Sequence, residues 1–281
     1  MYHIQIVGAG YTGLALARFF RSKKQKVWAL SRSSKHHAEF QSLEITPITA
    51  DLNRAETLSK IPPAHFIVLC PAPDERSDAA YRSVYLEGIS NYLQAIRKNP
   101  RPNLIVYLSS TAVYGERGGA WVDETTPLRP ETEKQKILIE AETQVLESGY
   151  PAAVFRLGGI YGPGRNSLAK LEEKCAQTPD AYTNMIHVDD IAGAMPVLFN
   201  KGQEGNVYLG VDDEPVKRSE FHAWLTSKLG KTPLQTFSSQ AGGKRCRNTK
   251  LKSLDYKFQY PTFREGYLDL IDQAKRKEHS A

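Results

Sequence analysis

Apolar residues along this chain come in short runs, and helical patterns fall between them. Ile4–Val7 is followed by a helical pattern from about Thr12 to Arg21, and Val27–Leu30 by a further polar-apolar stretch and the run Ile45–Leu52. Phe66–Leu69 precedes a long amphipathic stretch from about Asp78 to Arg97. Leu104–Leu108 precedes a loop and a helical pattern over Lys134–Leu146, and Ala153–Leu157 closes the series. Four- to eight-residue apolar runs alternating with amphipathic helices predict βαβ units, hence a parallel sheet covered on both faces. The expected fold class is α/β, a Rossmann-type doubly wound parallel sheet. The turn Gly162-Pro163-Gly164 breaks the alternation. Beyond it come Asn166–Ala181, a strand-like Val207–Val211, a helix from about Arg218 to Leu229 and a tail rich in Tyr and Lys. The expected organisation is a nucleotide-binding domain over 1–165, completed by about 185–215, with a smaller substrate-side lobe from 166–184 and 216–281.

The first βα junction reads IQIVGAGYTGLALARFF from Ile4. Gly8, Gly10 and Gly13 fit G-x-G-x-x-G, and here the motif leaves an apolar strand and opens a helix, the context that gives it meaning. Gly8 allows a tight turn, Gly10 lets the backbone approach a pyrophosphate, and Gly13 lets helix and strand pack closely. Tyr11 and Thr12 lie at the helix N-terminus, where free N–H groups and the positive dipole end favour phosphate. About twenty residues on, an NAD site places an acid that bonds the ribose 2′-OH. This chain has Ser31-Arg32-Ser33-Ser34-Lys35 there, with no acid. Arg32 can clamp a 2′-phosphate through paired hydrogen bonds, Ser31 and Ser33 add hydroxyl donors, and Lys35 adds charge. The residues favour NADP(H) over NAD.

Composition changes this picture little. The 281 residues are 41% hydrophobic and 24% charged, the range of a folded globular chain. No apolar run approaches the roughly 20 residues that span a bilayer, so no membrane partner is expected. A strand pattern begins almost at Met1, and Cys70, Cys175 and Cys246 show neither a disulfide framework nor metal-ligand spacing. A cytoplasmic setting without a metal is the expectation. The net charge of +6 is scattered, with short clusters at 21–24, 244–247 and 275–277. It suits an anionic cofactor or small-molecule substrate better than nucleic acid. Arg245 and Arg247 are candidates for an anionic substrate or a solvated face.

Four later segments resemble, in order, the signatures of the short-chain dehydrogenase superfamily, in its extended and atypical epimerase/dehydratase group. They are Asp51-Leu52, Leu108-Ser109-Ser110-Thr111-Ala112-Val113-Tyr114-Gly115, the run Arg156–Gly164 with Tyr161-Gly162-Pro163-Gly164, and Ile186-His187-Val188-Asp189-Asp190-Ile191-Ala192. Glu124-Thr125-Thr126-Pro127, Pro130, Thr132 and Tyr260-Pro261 extend the likeness to the YeeZ-like branch. The resemblance implies a cofactor contacted by Asp51, Leu52, Cys70, Pro71 and Ser109. It implies a substrate oxygen held by Ser110 and a lysine at Lys136 that bonds the nicotinamide ribose. The group's catalytic Tyr sits four residues before that Lys, and here the position is Thr132. An aliphatic hydroxyl is too weak an acid to replace a phenol. Tyr114 and Tyr161 are candidates for the missing phenol, Tyr161 the one singled out, and His187 is a brace for the Asp189-Asp190 turn with Asp190 as a helix N-cap. Two readings stay open: an NADP(H)-dependent epimerase/dehydratase-like oxidoreductase acting on a small carbonyl or sugar-nucleotide substrate between sheet edge and lobe, or a non-catalytic NADP(H)-binding sensor or interaction protein. A homodimer is compatible with either.

Overall fold

The computed structural model describes residues 1–165, 180–232 and 242–278. It divides into two compact units. The first comprises 1–113, 130–156 and 191–208, and the second 114–129, 157–190 and 209–281.

The first unit is built on a seven-stranded parallel sheet flanked by helices. In chain order its strands are β1 (His3–Val7), β2 (Lys26–Ser31), β3 (Thr46–Thr49), β4 (Phe66–Leu69), β5 (Leu104–Ser110), then Ala152–Leu157 and Val207–Gly210. Across the sheet the order runs Val207–Gly210, Ala152–Leu157, β5, β4, β1, β2, β3. β1 lies inside the sheet, with β2 on one side and β4, the central strand, on the other. The expected Rossmann-type α/β class is what the chain forms. The inner strands read as mostly apolar runs because both faces are covered: all four residues of β4 and all six of Ala152–Leu157 are buried, whereas edge strand β3 has none buried. Helix α1 (Tyr11–Ser22) returns the chain from β1 to β2, and α2 (His37–Ser42) follows β2.

The amphipathic stretch from Asp78 is helical throughout but not regular. α3 (Asp78–Arg82) runs into a π-helical turn, Ser83–Gly88, and then α4 (Ile89–Ala95). A Cβ on Gly88 would stand 2.9 Å from Cβ of Leu52, so glycine lets this turn close on the segment after β3. Helix α5 (Glu133–Leu146) buries Ile137, Leu138, Ala141 and Val145, the apolar stripe that its period predicts. Under it lies a buried polar trio. Arg156 donates to both carboxylate oxygens of Glu142, Nε to Oε1 at 3.0 Å and Nη2 to Oε2 at 2.7 Å, and Ser109 Oγ donates to Oε1 at 2.6 Å. The forked geometry satisfies a charge pair that burial would otherwise penalise heavily.

The second unit has its own core of Tyr161, Met185, Phe221, Leu225, Phe263 and Tyr267. β6 (Trp121–Val122) pairs in parallel with Arg245–Cys246, which explains why the segment after Val113 belongs to this unit. Gly159–Tyr161 pairs in parallel with Met185–His187. The expected helix over Arg218–Leu229 forms as Arg218–Lys228. The stretch Asn166–Ala181, expected to open the smaller lobe, lies outside the described residues as far as 179. One local expectation is corrected. Asp190 does not cap a helix from outside, because the helix Val188–Lys201 has already begun. Its buried carboxylate instead accepts from Tyr256 Oη at 2.7 Å and from the backbone N–H groups of Gln259 and Tyr260 at 2.7 and 3.0 Å. His187 Nδ1 does brace the turn, accepting from Asp189 N at 3.2 Å.

Candidate functional site

At the carboxyl end of β1 the chain turns on Gly8, whose φ of +100° only glycine adopts readily. A Cβ there would also lie 2.5 Å from the carbonyl oxygen of Cys70 and 2.7 Å from Cα of Pro71. A Cβ on Gly13 would lie 2.3 Å from the oxygen of Gly8, so this glycine seats α1 against the loop. Gly10 differs from both: nothing lies within 4 Å of a Cβ built on it. Its open face is the one a pyrophosphate would approach. Gly10 is also the N-cap of α1, with no side-chain cap and no acid in the first turn. No acid of that first turn competes with an anion for its N–H groups and the positive end of the dipole. These features fit a dinucleotide pyrophosphate.

The loop forms the floor of a cleft of about 720 Å³ within the first unit. Of the residues proposed from sequence, Gly8, Gly10, Ser31, Arg32, Ser33, Asp51, Leu52, Cys70 and Pro71 line it. Tyr11, Thr12, Gly13, Ser109 and Lys136 are not among its lining residues. The hydroxyl of Ser109 is committed to Glu142 instead. The cleft also takes in His36, Asn53 and Asp74, which the sequence pattern did not single out.

Arg32 stands just past β2 with its side chain half exposed, and Nη2 donates to Oδ1 of Asp74 at 2.6 Å. Ser31 Oγ donates to the carbonyl of Ser33 at 2.8 Å, which shapes the turn that carries Arg32. Asp51 accepts from Asn53 N at 3.0 Å, an Asx turn that fixes the rim beyond β3. Cys70 closes the far side. Its thiol donates to the carbonyl of Gly8 at 3.2 Å, and burial pushes its pKa up to about 12. A thiol held protonated and hydrogen-bonded is a packing group rather than a nucleophile.

The residues aligned with proton chemistry are placed differently. Ser110 ends β5, half-buried, and its Oγ accepts from Ala112 N at 3.1 Å. Thr132 is the N-cap of α5. Its hydroxyl accepts from Gln135 N at 3.3 Å while Gln135 Oε1 accepts from Thr132 N at 3.0 Å, a complete capping box. Lys136 is exposed and lies 3.6 Å from Oε2 of Glu133, one turn back on the same helix.

Tyr161 belongs to the core of the second unit. Its ring stacks on Tyr267 at 4.6 Å and meets His187 edge-on at 5.1 Å. The hydroxyl is buried without a hydrogen-bond partner among the described residues, packed directly over Gly266. Burial, then the charge of Asp212, raises its pKa far above that of a free phenol. Arg245, the candidate for an anionic substrate, packs its guanidinium 4.9 Å from the Trp121 ring and donates to the carbonyl of Gly119 at 2.7 Å. Arg247 lies 4.9 Å from the same ring. Among the described residues no His/Cys/Asp/Glu group could hold a metal ion, and no helix is long and apolar enough to cross a membrane.

Comparison with known proteins agrees with this architecture. The model of the NAD dependent epimerase/dehydratase family matches residues 4–209. Protein YeeZ of Escherichia coli K12 is 27% identical over 273 residues, covering 93% of this chain and 97% of its own. A ketoreductase of Stigmatella aurantiaca, named for a 4-hydroxy-2-methyl-3-oxo-4-farnesyl-3,4-dihydroquinoline-1-oxide, is 27% identical over 242 residues, covering 79% of this chain and 72% of its own. A solved structure from Methylobacillus flagellatus, assigned to the NAD-dependent epimerase/dehydratases, superposes with a TM-score of 0.83 at 28% identity, covering 98% of this chain and 99% of that one.

Proposed function

Because this chain belongs to the NAD dependent epimerase/dehydratase family, we propose that it is an NADP(H)-dependent oxidoreductase acting on a small carbonyl or sugar-nucleotide substrate. The observation that carries the choice of cofactor is Arg32, standing in the cleft past β2 where an NAD site would offer a carboxylate. Its planar fork matches a 2′-phosphate, with Ser31 and Ser33 beside it. The open backbone of Gly10 and the first turn of α1 take the pyrophosphate, and Leu52 and the Asp51 turn border the adenine side. When bound, the nicotinamide supplies or accepts a hydride. Ser110, whose Oγ already accepts one bond from Ala112 N, keeps its O–H to donate to a substrate oxygen. Lys136 lies one turn along the helix that Thr132 caps, and reaches the nicotinamide ribose by leaving Glu133. The proton comes from a group on the substrate or through a water chain at Ser110, since Thr132 uses its oxygen as a cap and an aliphatic alcohol is a poor acid near neutral pH. The likeness to a ketoreductase supports carbonyl reduction.

Titration of NADP and NAD against the wild type and Arg32→Gln tests the cofactor. Loss of a charge-assisted contact to phosphate should weaken NADP by about 10- to 100-fold and leave NAD within about twofold. Undiminished NADP binding by the variant would overturn the assignment.

The capping role of Thr132 favours a second reading, an NADP(H)-binding module without turnover. Oxidation of NADPH with any member of a broad panel of carbonyls and sugar nucleotides excludes it. Tight binding with no turnover across that panel would replace the enzyme reading with it.

A further inference from the structure

The cleft contains a carboxylate that the dinucleotide does not require. Asp74 lies in the Pro71-Ala72-Pro73-Asp74 segment beyond β4, and Arg32 lies beyond β2. In the sheet these two strands flank β1. The Arg32–Asp74 ion pair, 2.6 Å between Nη2 and Oδ1, therefore spans the carboxyl end of β1, whose continuation is the glycine loop. Both residues line the cleft with Gly8 and Gly10. The pair thus borders the same cleft as the loop on which a dinucleotide would be seated.

We propose that Asp74 is a specificity-determining residue: an internal anionic competitor that occupies the Arg32 guanidinium until a 2′-phosphate displaces it. The proposal rests on the reading of Arg32 as the 2′-phosphate ligand. The chemistry is an exchange of anions on one cation. A phosphate monoester carries close to two negative charges near neutral pH and three acceptor oxygens. It outcompetes a single carboxylate oxygen for a guanidinium fork. A 2′-hydroxyl, uncharged, does not. NAD therefore leaves the ion pair in place, whereas NADP must break it. The Asp74 side chain is 74% exposed, so once displaced it is readily solvated and the exchange needs no refolding. The Arg32 side chain is 48% exposed, which keeps the competing pair weak. An exposed pair of this kind lowers NADP affinity by about threefold to fivefold and leaves the contact with phosphate dominant.

The experiment is a thermodynamic cycle by calorimetric titration at fixed, low ionic strength, with NADP, NAD and the half-ligands 2′,5′-ADP and 5′-AMP as probes. The proteins are the wild type, Asp74→Asn, Asp74→Ser, Arg32→Gln and the double variant Asp74→Asn/Arg32→Gln. Both Asp74 variants should bind NADP and 2′,5′-ADP about threefold to fivefold more tightly, with NAD and 5′-AMP unchanged. In the Arg32→Gln background, Asp74→Asn should have no effect on any probe. Equal strengthening of 5′-AMP and 2′,5′-ADP would overturn the proposal, because a general change of field, not competition for Arg32, would then be acting. Persistence of the gain without Arg32 would overturn it likewise. If Arg32→Gln abolishes the NADP preference while Asp74→Asn changes nothing, the competitor fails and the cofactor assignment stands. If Arg32→Gln leaves the NADP to NAD ratio as it was, both fail together.

Discussion

Two regions of the first unit carry the same kind of family signature and have different local structures. Around β1 and β2 the signature residues line a cleft, with an open Gly10, an α1 that has no side-chain cap, and Arg32 paired with Asp74 at the rim. Around β5 and α5 the signature residues are mostly used by the protein itself. Ser109 is bonded to Glu142, Thr132 caps α5, and Lys136 pairs with Glu133. The first region keeps open backbone at a cleft, and the second ties most of its polar side chains to its own helix and strands. The lesson is that a family signature does not by itself say whether its polar atoms line a cleft or serve the protein's own helices.

The sharpest way to break that contrast is at Glu142. Glu142→Ala removes the carboxylate from the buried Arg156 guanidinium and should cost about 3–5 kcal/mol of stability, measured by denaturant unfolding. A loss under about 1 kcal/mol would mean that the trio is not the anchor of α5. Next is Gly8→Ala. The positive φ and the 2.5 Å approach to Cys70 O leave no room for a methyl group. The variant should lose about 1–3 kcal/mol and bind both dinucleotides poorly, because the loop itself shifts. Wild-type affinity for both would refute the cradle. The smallest effect is expected at Thr132. Thr132→Ala removes a cap and should cost about 1 kcal/mol, with Thr132→Asp restoring it and turnover per folded molecule unchanged. A fall in kcat that Thr132→Asp does not repair would put the hydroxyl in the chemistry and erase the contrast.

Much of the fold was legible because the inner parallel strands, covered on both faces, are apolar along most of their length. That is why Ile4–Val7, Phe66–Leu69 and Ala153–Leu157 stood out. The π turn at Ser83–Gly88 was not legible, since it depends on what Gly88 meets after β3. The buried pairing of Glu142 with Arg156 was equally hidden. On the sequence, Glu142 is one more polar residue of an amphipathic helix, and only the approach of β5 and Ala152–Leu157 gives it partners. In the candidate site the glycine spacing and Arg32 could be read directly. Asp74 could have been noticed as the first acid after the Pro71–Pro73 rim, but nothing in the order of residues paired it with a position 42 residues away.

The sequence by itself determined the α/β class, the place of the glycine loop and the cation past β2, because these follow from local periodicity and from spacing within one βα unit. Tertiary structure alone decided which polar atoms stay available. It joined Asp74 to Arg32 across the end of β1, tied Ser109 to Glu142, and sealed the Tyr161 hydroxyl over Gly266. The physical reason is that a hydrogen-bonding group is defined by its partner, and these partners come from strands and helices remote in the chain.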